Sequence, residues 1–159
     1  MSVNVVWFKR DLRLSDNAAI NDAVNRDLPI ICLFNLDSQR IGRMDVSGIH
    51  IEWELDCLRS LAKDINGLGG VIKFNYGEVV DYLGRLHSDY HINSIICNEE
   101  TGLQWSWERD KLVAKWCETN RIDFIEHPSN GVIRKLKTRD DWKKYRDKRI
   151  SSSLIPVSY

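Results

Sequence analysis

The densest group of residues that could do chemistry follows an apolar run at the start of the chain. Residues 3–8 are mostly apolar, and Lys9, Arg10, Asp11 and Arg13 come directly or almost directly after them. Such a run predicts a strand that is buried on both faces. In an open parallel sheet, ligands bind beyond the carboxyl ends of the strands, so these charges would face a ligand. An internal salt-bridge cluster that only fixes the corner explains the same residues.

A second candidate group is the carboxylate pair Glu99 and Glu100, which follows a later apolar run. Adjacent carboxylates at the end of a strand can accept hydrogen bonds from the ring N–H or hydroxyl groups of a ligand. An acidic turn that favours the start of a helix explains the pair almost as well. Both interpretations stay open.

Other kinds of site find little support in the sequence. Gly-rich phosphate loops and the Gly-x-Ser-x-Gly nucleophile motif are missing. The four histidines are scattered without metal-ligand spacing, and the four cysteines lie far apart within apolar patterns, which predicts buried, reduced thiols and no metal site. Four of the six tryptophans fit helix faces and are predicted to be core residues rather than a redox chain: Trp53, Trp107, Trp116 and Trp142.

Apolar runs that alternate with helical patterns must position these groups. Strands are predicted at residues 3–8, 29–35, 71–75, 92–97 and 122–127. Apolar residues at three-to-four spacing predict helices around 51–65, 79–86 and 112–117, and Ser15, Asp16 and Asn17 mark the start of a first helix. The alternation predicts an α/β fold, a Rossmann-like doubly wound sheet of five parallel strands in a single domain.

Composition fits one globular domain of 159 residues with zero net charge. No apolar run approaches the ~20 residues of a membrane span, and the first residues do not form a secretory signal, so a cytoplasmic protein without membrane contact is expected. Residues 1–130 would form the α/β domain, and residues 131–159 a basic helix and the start of a linker. Residues 131–150 carry nine basic and three acidic side chains. We interpret this stretch as a solvated helix above Trp142 and Tyr145, with weak DNA contact at most.

The wording of the first motif resembles one protein family. Residues 7–17 read Trp-Phe-Lys-Arg-Asp-Leu-Arg-Leu-Ser-Asp-Asn, and the DNA photolyase and cryptochrome family reads Trp-Phe-Arg-Arg-Asp-Leu-Arg-Leu-x-Asp-Asn near its amino terminus. Lys9 departs from that pattern but keeps the charge. The resemblance continues in order through residues 32–37, 57–61, 95–100 and 108–110, and covers roughly residues 3–150.

The resemblance implies the amino-terminal α/β domain of a light-dependent DNA repair enzyme or blue-light sensor. In that family this domain often holds an antenna chromophore, while a following helical domain carries FAD and the redox tryptophans. The chain would therefore have no catalytic residue of its own, and the FAD-binding helical domain would be its partner in a full-length parent. By position, the antenna pocket would be bordered by Lys9, Arg10, Asp11, Phe34, Asn35, Leu36, Asp37, Arg43, His50, Glu99 and Glu100.

The same comparison favours a flavin or deazaflavin over a folate. Folate-binding relatives carry Asn-Glu before the Arg-Asp pair, where this chain has Trp105 and Ser106. His50 stands where deazaflavin-binding relatives have an arginine. Two other hypotheses remain: a stand-alone nucleotide-binding module of the universal-stress or electron-transfer-flavoprotein type, and an interaction fragment whose pocket is empty.

Overall fold

The computed structural model describes residues 1–134 and 136–156. Five strands form one parallel sheet: β1 (Val3–Phe8), β2 (Ile30–Leu36), β3 (Ile72–Tyr76), β4 (Ile92–Asn98) and β5 (Asp123–His127). The helices are α1 (Ala18–Val24), α2 (Gly48–Gly67), α3 (Val79–Tyr90), α4 (Gln104–Asn120) and α5 (Trp142–Ile150). The predicted strands are confirmed with bounds that shift by at most one residue at either end.

The strand order is β3-β2-β1-β4-β5, with all neighbours parallel. The order reverses between β1 and β4, and this is the point where doubly wound sheets form a crevice at their carboxyl edge. β1 is buried along its whole length because it lies at the centre of the sheet. The predicted Rossmann-like doubly wound fold is confirmed.

Helices cover both faces of the sheet. On one face, Ala19 of α1 and Leu58 and Leu61 of α2 pack with Phe8 of β1 and Phe34 of β2. On the other face, helices α3 and α4 pack against β1, β2 and β4. Burial of this kind stabilises a fold by ~25 cal/mol per Å² of apolar surface removed from water. The two core layers hold the carboxyl ends of the strands in place.

A capped helix start fixes the corner after β1. The side chain of Asn17 accepts hydrogen bonds from the backbone N–H groups of Ala19 and Ile20. Such a cap stabilises a helix by ~1 kcal/mol. The chain returns to this corner near its end, where Asp16 N donates to Ile155 O at 3.0 Å.

Two expectations about aromatic residues were wrong. Trp53 is 72% exposed and Trp107 is 44% exposed, because each points away from the sheet on its helix. Trp142 and Tyr145 are also exposed rather than packed beneath α5, which has no buried residue. Lys135, which was counted in the basic stretch, and residues 157–159 lie outside the described residues. Among the described helices, none is long and apolar enough to cross a membrane.

Candidate functional site

A cleft of about 460 Å³ opens beside the carboxyl ends of β1 and β2. The turns after these strands, the first half of α2 and the start of α4 enclose it. Its size falls within the range of pockets that bind small molecules and cofactors. The lining residues are Arg10, Leu12, Arg13, Arg40, Asp45, Val46, His50, Trp53, Glu54, Cys57, Leu103 and Trp105.

Trp105 forms an aromatic wall of this cleft and is surrounded by guanidinium groups. The Cζ atoms of Arg40 and Arg43 each lie 5.9 Å from the centre of a Trp105 ring, and that of Arg109 lies 5.6 Å away. Cations at such distances are attracted to the electron-rich face of an indole. The arginines therefore hold Trp105 in place.

Two buried donors beside the cleft lack a partner. Trp105 Nε1 and Arg40 Nε make no hydrogen bond with any described residue. Arg40 uses Nη1 instead, which lies 2.5 Å from Glu54 Oε2. A buried N–H group without an acceptor costs free energy. Both atoms are shielded from solvent, so a ligand in the cleft would accept hydrogen bonds from them only after the two side chains turn.

Arg109 is the centre of a buried charge cluster beneath the cleft. It lies 2.9 Å from Asp37, 2.8 Å from Asp110 and 3.4 Å from Glu100. Burial lowers the pKa of Arg109, but the neighbouring carboxylates of Asp110 and Asp37 raise it by more, so the pKa lies above its ordinary value. Burial likewise raises the pKa of Asp37, although Arg109 acts in the opposite direction. Arg109 thus occupies carboxylates that a ligand would otherwise contact.

Lys9 points into the same cluster. Its Nζ lies 2.5 Å from Asp110 Oδ2 and 3.9 Å from Glu126 Oε1. Trp7 is close to two cations, with Lys9 Nζ 4.9 Å and Arg109 Cζ 4.7 Å from its ring centroids. Lys9 therefore serves mainly as an internal counter-ion.

Asp11 connects the turn after β1 to the end of β4 by hydrogen bonds. It accepts a hydrogen bond from the backbone N–H of Lys9 at 3.2 Å, and further ones from the side chains of Asn17 and Asn98. Lys9 and Asp11 thus belong to an internal charge cluster, which was one of the two interpretations of this corner. Arg10 does not, because 56% of its side chain is exposed.

A smaller cleft of about 190 Å³ lies at the crevice between β1 and β4. Arg10 and Arg13 line both clefts and so separate them. The smaller cleft is lined by Lys9, Arg10, Asp11, Arg13, Asn98, Glu99, Glu100, Thr101, Ser129 and Asn130.

The structure divides the predicted pocket residues into three groups. Arg10 and His50 line the larger cleft, and Lys9, Arg10, Asp11, Glu99 and Glu100 line the smaller one. The remaining five line neither cleft: Phe34, Asn35, Leu36, Asp37 and Arg43.

These five residues have other contacts. Phe34 is buried and stacks on Phe74 with ring centroids 6.0 Å apart, and Leu36 belongs to the same core. Asn35 donates to Asp37 Oδ1 at 3.1 Å, which orients the carboxylate towards Arg109. Arg43 reaches the cleft indirectly, through its contact with Trp105. Roles for all eleven predicted residues in ligand binding stay predictions.

Sequence reasoning missed several groups that build the cleft. Trp105 was considered only as a departure from the folate pattern, and Arg109 only as part of a resembling motif. Arg40, Trp53 and Cys57 were not singled out as site residues. One feature of the sequence could have identified Trp105 and Arg109. Both follow shortly after the Glu99-Glu100 turn, and this turn was predicted at the same edge of the sheet as Arg10.

Comparisons with known proteins agree on one family. The family model for DNA photolyase matches residues 4–147. Cryptochrome-1 of Anopheles gambiae is 29% identical over 149 residues, which cover 87% of this chain and 27% of that protein. Cryptochrome-1 of Drosophila melanogaster is 28% identical over 81% of this chain and 25% of that protein. The chain spans about a quarter of the length of these relatives.

Solved structures share the fold at low sequence identity. The cryptochrome of Synechocystis sp. PCC6803 superposes with a TM-score of 0.83 at 14% identity, over 99% of this chain and 36% of that one. An archaeal photolyase from Sulfolobus tokodaii superposes with a TM-score of 0.78 at 22% identity, over 98% of this chain and 36% of that one.

Proposed function

Since this chain belongs to the DNA photolyase family and corresponds to its N-terminal α/β domain, we propose that it holds a light-harvesting antenna chromophore in the cleft beside Trp105. One observation carries the proposal: a cleft of about 460 Å³ combines an aromatic wall with buried donors that have no partner. A planar heterocycle with acceptor atoms would satisfy both features.

The residues of the cleft fit such a group. Trp105 and Trp53 offer indole surfaces to a planar ring. Arg40 Nε and Trp105 Nε1, which are shielded from solvent, would donate to its carbonyl or ring nitrogen atoms once their side chains turn towards it. A bound chromophore would absorb light and pass the excitation energy on. The chain itself would bind the ring, orient it and exclude water from one side.

A flavin or deazaflavin is the preferred class, and a folate is less favoured. The Sulfolobus tokodaii photolyase holds two FAD molecules, which implicate a novel light-harvesting cofactor in that protein. This supports a flavin-type ligand in the present chain. In a full-length parent, a helical FAD-binding domain would be the partner, and repair or light sensing would belong to the whole protein.

Fluorescence titration of FMN, riboflavin and a deazaflavin against the purified chain tests the proposal. We expect Trp105→Ala to weaken binding at least ~10-fold, which corresponds to ~1.4 kcal/mol. Trp107→Ala is the matched control, since Trp107 is in the same helix and does not line the cleft.

Two results would count against an antenna role. If none of the three ligands binds below about millimolar concentration, where the binding free energy is only ~4 kcal/mol, the interaction-fragment hypothesis takes its place. If Trp105→Ala and Trp107→Ala weaken binding equally, the ligand lies elsewhere.

A further inference from the structure

The outer edge of the sheet at β3 carries backbone groups without a neighbouring strand. β3 pairs with β2, and within the part of the chain that the structure describes no strand lies on its other side. The pairing runs in unbroken register from Cys32 opposite Ile72 to Leu36 opposite Tyr76. β3 is therefore regular, and its outer N–H and C=O groups form a template with which another strand can pair.

The features that usually protect such an edge are missing from β3. The strand reads Ile-Lys-Phe-Asn-Tyr and contains neither a proline nor an acidic residue. Its one charged residue is Lys73, whose Nζ lies 5.3 Å from the centroid of the Tyr90 ring in α3, so the charge is turned towards that helix. Asn75 is turned inwards too, because its Nδ2 donates to Asn35 Oδ1 at 2.6 Å. Neither polar side chain keeps a second strand away.

The opposite edge of the sheet, at β5, is better protected. Asp123 and Glu126 place acidic side chains along this strand, and Arg134 Nη1 lies 2.8 Å from Glu126 Oε2. Charged side chains on an edge strand oppose pairing with another chain. Of the two edges, β3 is therefore the one that suits pairing.

β3 also exposes large apolar side chains beside its open edge. Phe74 and Tyr76 are 50% and 57% exposed, and Val71, directly before the strand, is 74% exposed. Phe74 stacks on the buried Phe34 with ring centroids 6.0 Å apart, so its ring joins the core to the surface. Residues two apart in a strand lie on the same face, so Phe74 and Tyr76 form one apolar strip.

We infer that β3 is a self-association surface whose partner is β3 of a second copy of this chain, antiparallel and related by a two-fold axis at Phe74. The register around that axis is self-complementary. Phe74 lies opposite Phe74 of the second copy, and Ile72 lies opposite Tyr76. Lys73 lies opposite Asn75, so no like charges face each other. Aromatic pairs, and pairs of an aromatic with a β-branched residue, are favourable cross-strand contacts.

The symmetry of this contact limits the assembly to two copies. Each copy uses the same edge, so two five-stranded sheets join into one and no β3 edge is left open. An antiparallel pair at the edge of an otherwise parallel sheet is common. The contact is small, because five strand residues and a few apolar side chains of each copy fall at or below the ~1,200 Å² of a standard interface. We therefore expect a reversible dimer with a dissociation constant of ~10–100 µM.

Sedimentation velocity between ~1 µM and ~1 mM chain tests the inference, and the average mass should rise from that of a monomer to that of a dimer. Phe74→Lys brings two positive charges together on the axis and should weaken association at least ~10-fold. Leu112→Lys is the matched control, since it adds the same charge at a residue of α4 that is 60% exposed, and it should dimerise like the wild type. Circular dichroism checks that both variants are folded.

A mixed sample separates recognition from folding. Phe74→Glu alone should also be monomeric, whereas an equimolar mixture of Phe74→Lys and Phe74→Glu should dimerise again, because opposite charges then meet on the axis. A fold damaged by the substitutions would not be restored by mixing.

Cross-linking tests the register. Residues directly opposite each other in an antiparallel pair have Cα atoms ~4.5–5.5 Å apart, which suits a disulfide, so Phe74→Cys should give a linked dimer under mild oxidation. Tyr76→Cys should not, because the two copies of residue 76 are separated by ~13 Å along the strands. Peptide mapping by mass spectrometry identifies the linked cysteines.

Three results would overturn the inference. The chain stays monomeric up to ~1 mM; it forms assemblies larger than a dimer, which a closed two-fold contact does not allow; or Phe74→Lys and Leu112→Lys weaken the dimer equally, which places the contact elsewhere. None of these results bears on the antenna proposal, which the flavin titrations test separately.

Discussion

Lys9 Nζ lies 2.5 Å from Asp110 Oδ2, and each of the two side chains is only 4% exposed. The pair connects the end of β1, the central strand of the sheet, to helix α4. Two charges so deep in the protein have lost nearly all of their water, so Lys9 depends on Asp110, and Asp110 depends on Lys9 and Arg109. This dependence makes the pair a sensitive test of the described site.

Lys9→Met should destabilise the chain by ~1.5–3 kcal/mol, because Asp110 would lose one of its two cationic partners and keep only Arg109. The double variant Lys9→Met with Asp110→Leu should be more stable than the single one. Urea unfolding followed by circular dichroism measures both. Arg59→Ala, which breaks an exposed pair with Asp56, should change stability by less than ~1 kcal/mol. Equal losses for the single and double variants would contradict the coupling.

Stability should fall in alkaline solution. Burial raises the pKa of Cys97 to about 12 and that of Cys117 to about 12, from an ordinary value of 9.0. The unfolded chain therefore releases these protons first, so the stabilisation is complete below pH 9.0 and is lost as pH rises towards about 12. The pKa of Lys9 is also raised, which acts in the same direction above its ordinary value of 10.5.

Urea midpoints measured at intervals between about pH 8 and 11 check this prediction. Cys117→Ala should lower stability at every pH but make the alkaline decline shallower, since one of the titrating groups is gone. A midpoint that stays constant over this range would show that the thiols are not shielded as described.

Arg109→Met should destabilise the chain by ~3 kcal/mol or more, because Asp37 and Asp110 would both lose a close cationic partner. Arg109→Lys should recover only part of the loss, since an ammonium group cannot make the paired N–H contacts of a guanidinium. Tryptophan fluorescence should change as well, because Arg109 lies beside Trp7 and Trp105. If Arg109→Met unfolds at the same urea concentration as the wild type, the guanidinium does not stabilise this charge cluster.

Cys57 should react with a maleimide faster than Cys97 and Cys117, which are fully buried. Its thiol lines the larger cleft, so bound FMN should slow its labelling. Peptide mapping by mass spectrometry measures the extent at each cysteine, and the unfolded chain, in which all four should react, is the control. Labelling of Cys57 that FMN leaves unchanged would place the ligand outside this cleft.

Binding to duplex DNA should be weak and strongly reduced by salt. Arg134 donates to Glu100 O and to Glu126, and Arg149 donates to backbone oxygens, so part of the basic stretch is already engaged. A few remaining lysines provide few phosphate contacts, whose affinity falls steeply with added salt. Fluorescence anisotropy with a labelled duplex measures this, and Lys143→Gln with Lys144→Gln should weaken binding further. Submicromolar binding that does not change with salt would contradict this prediction.

The sequence by itself determined the architecture and the family. Apolar runs and helical spacing are local properties, so they predicted all five strands, the four helices from α1 to α4 and the parallel, doubly wound sheet. The motif at residues 7–17 identified the family, which the match over residues 4–147 confirmed. Two of the expected pocket residues, Arg10 and His50, line the larger cleft, and their roles in ligand binding stay predictions.

Only the tertiary structure decided which charges face a ligand and which face each other. Lys9 and Asp110 are 101 residues apart in the chain, and Arg109 and Asp37 are 72 apart, so no local pattern reveals these pairs. The same holds for Trp105, whose position at the cleft depends on how α4 packs beside the turns after β1 and β2. A buried charge takes the nearest partner that packing provides, and packing joins elements far apart in sequence.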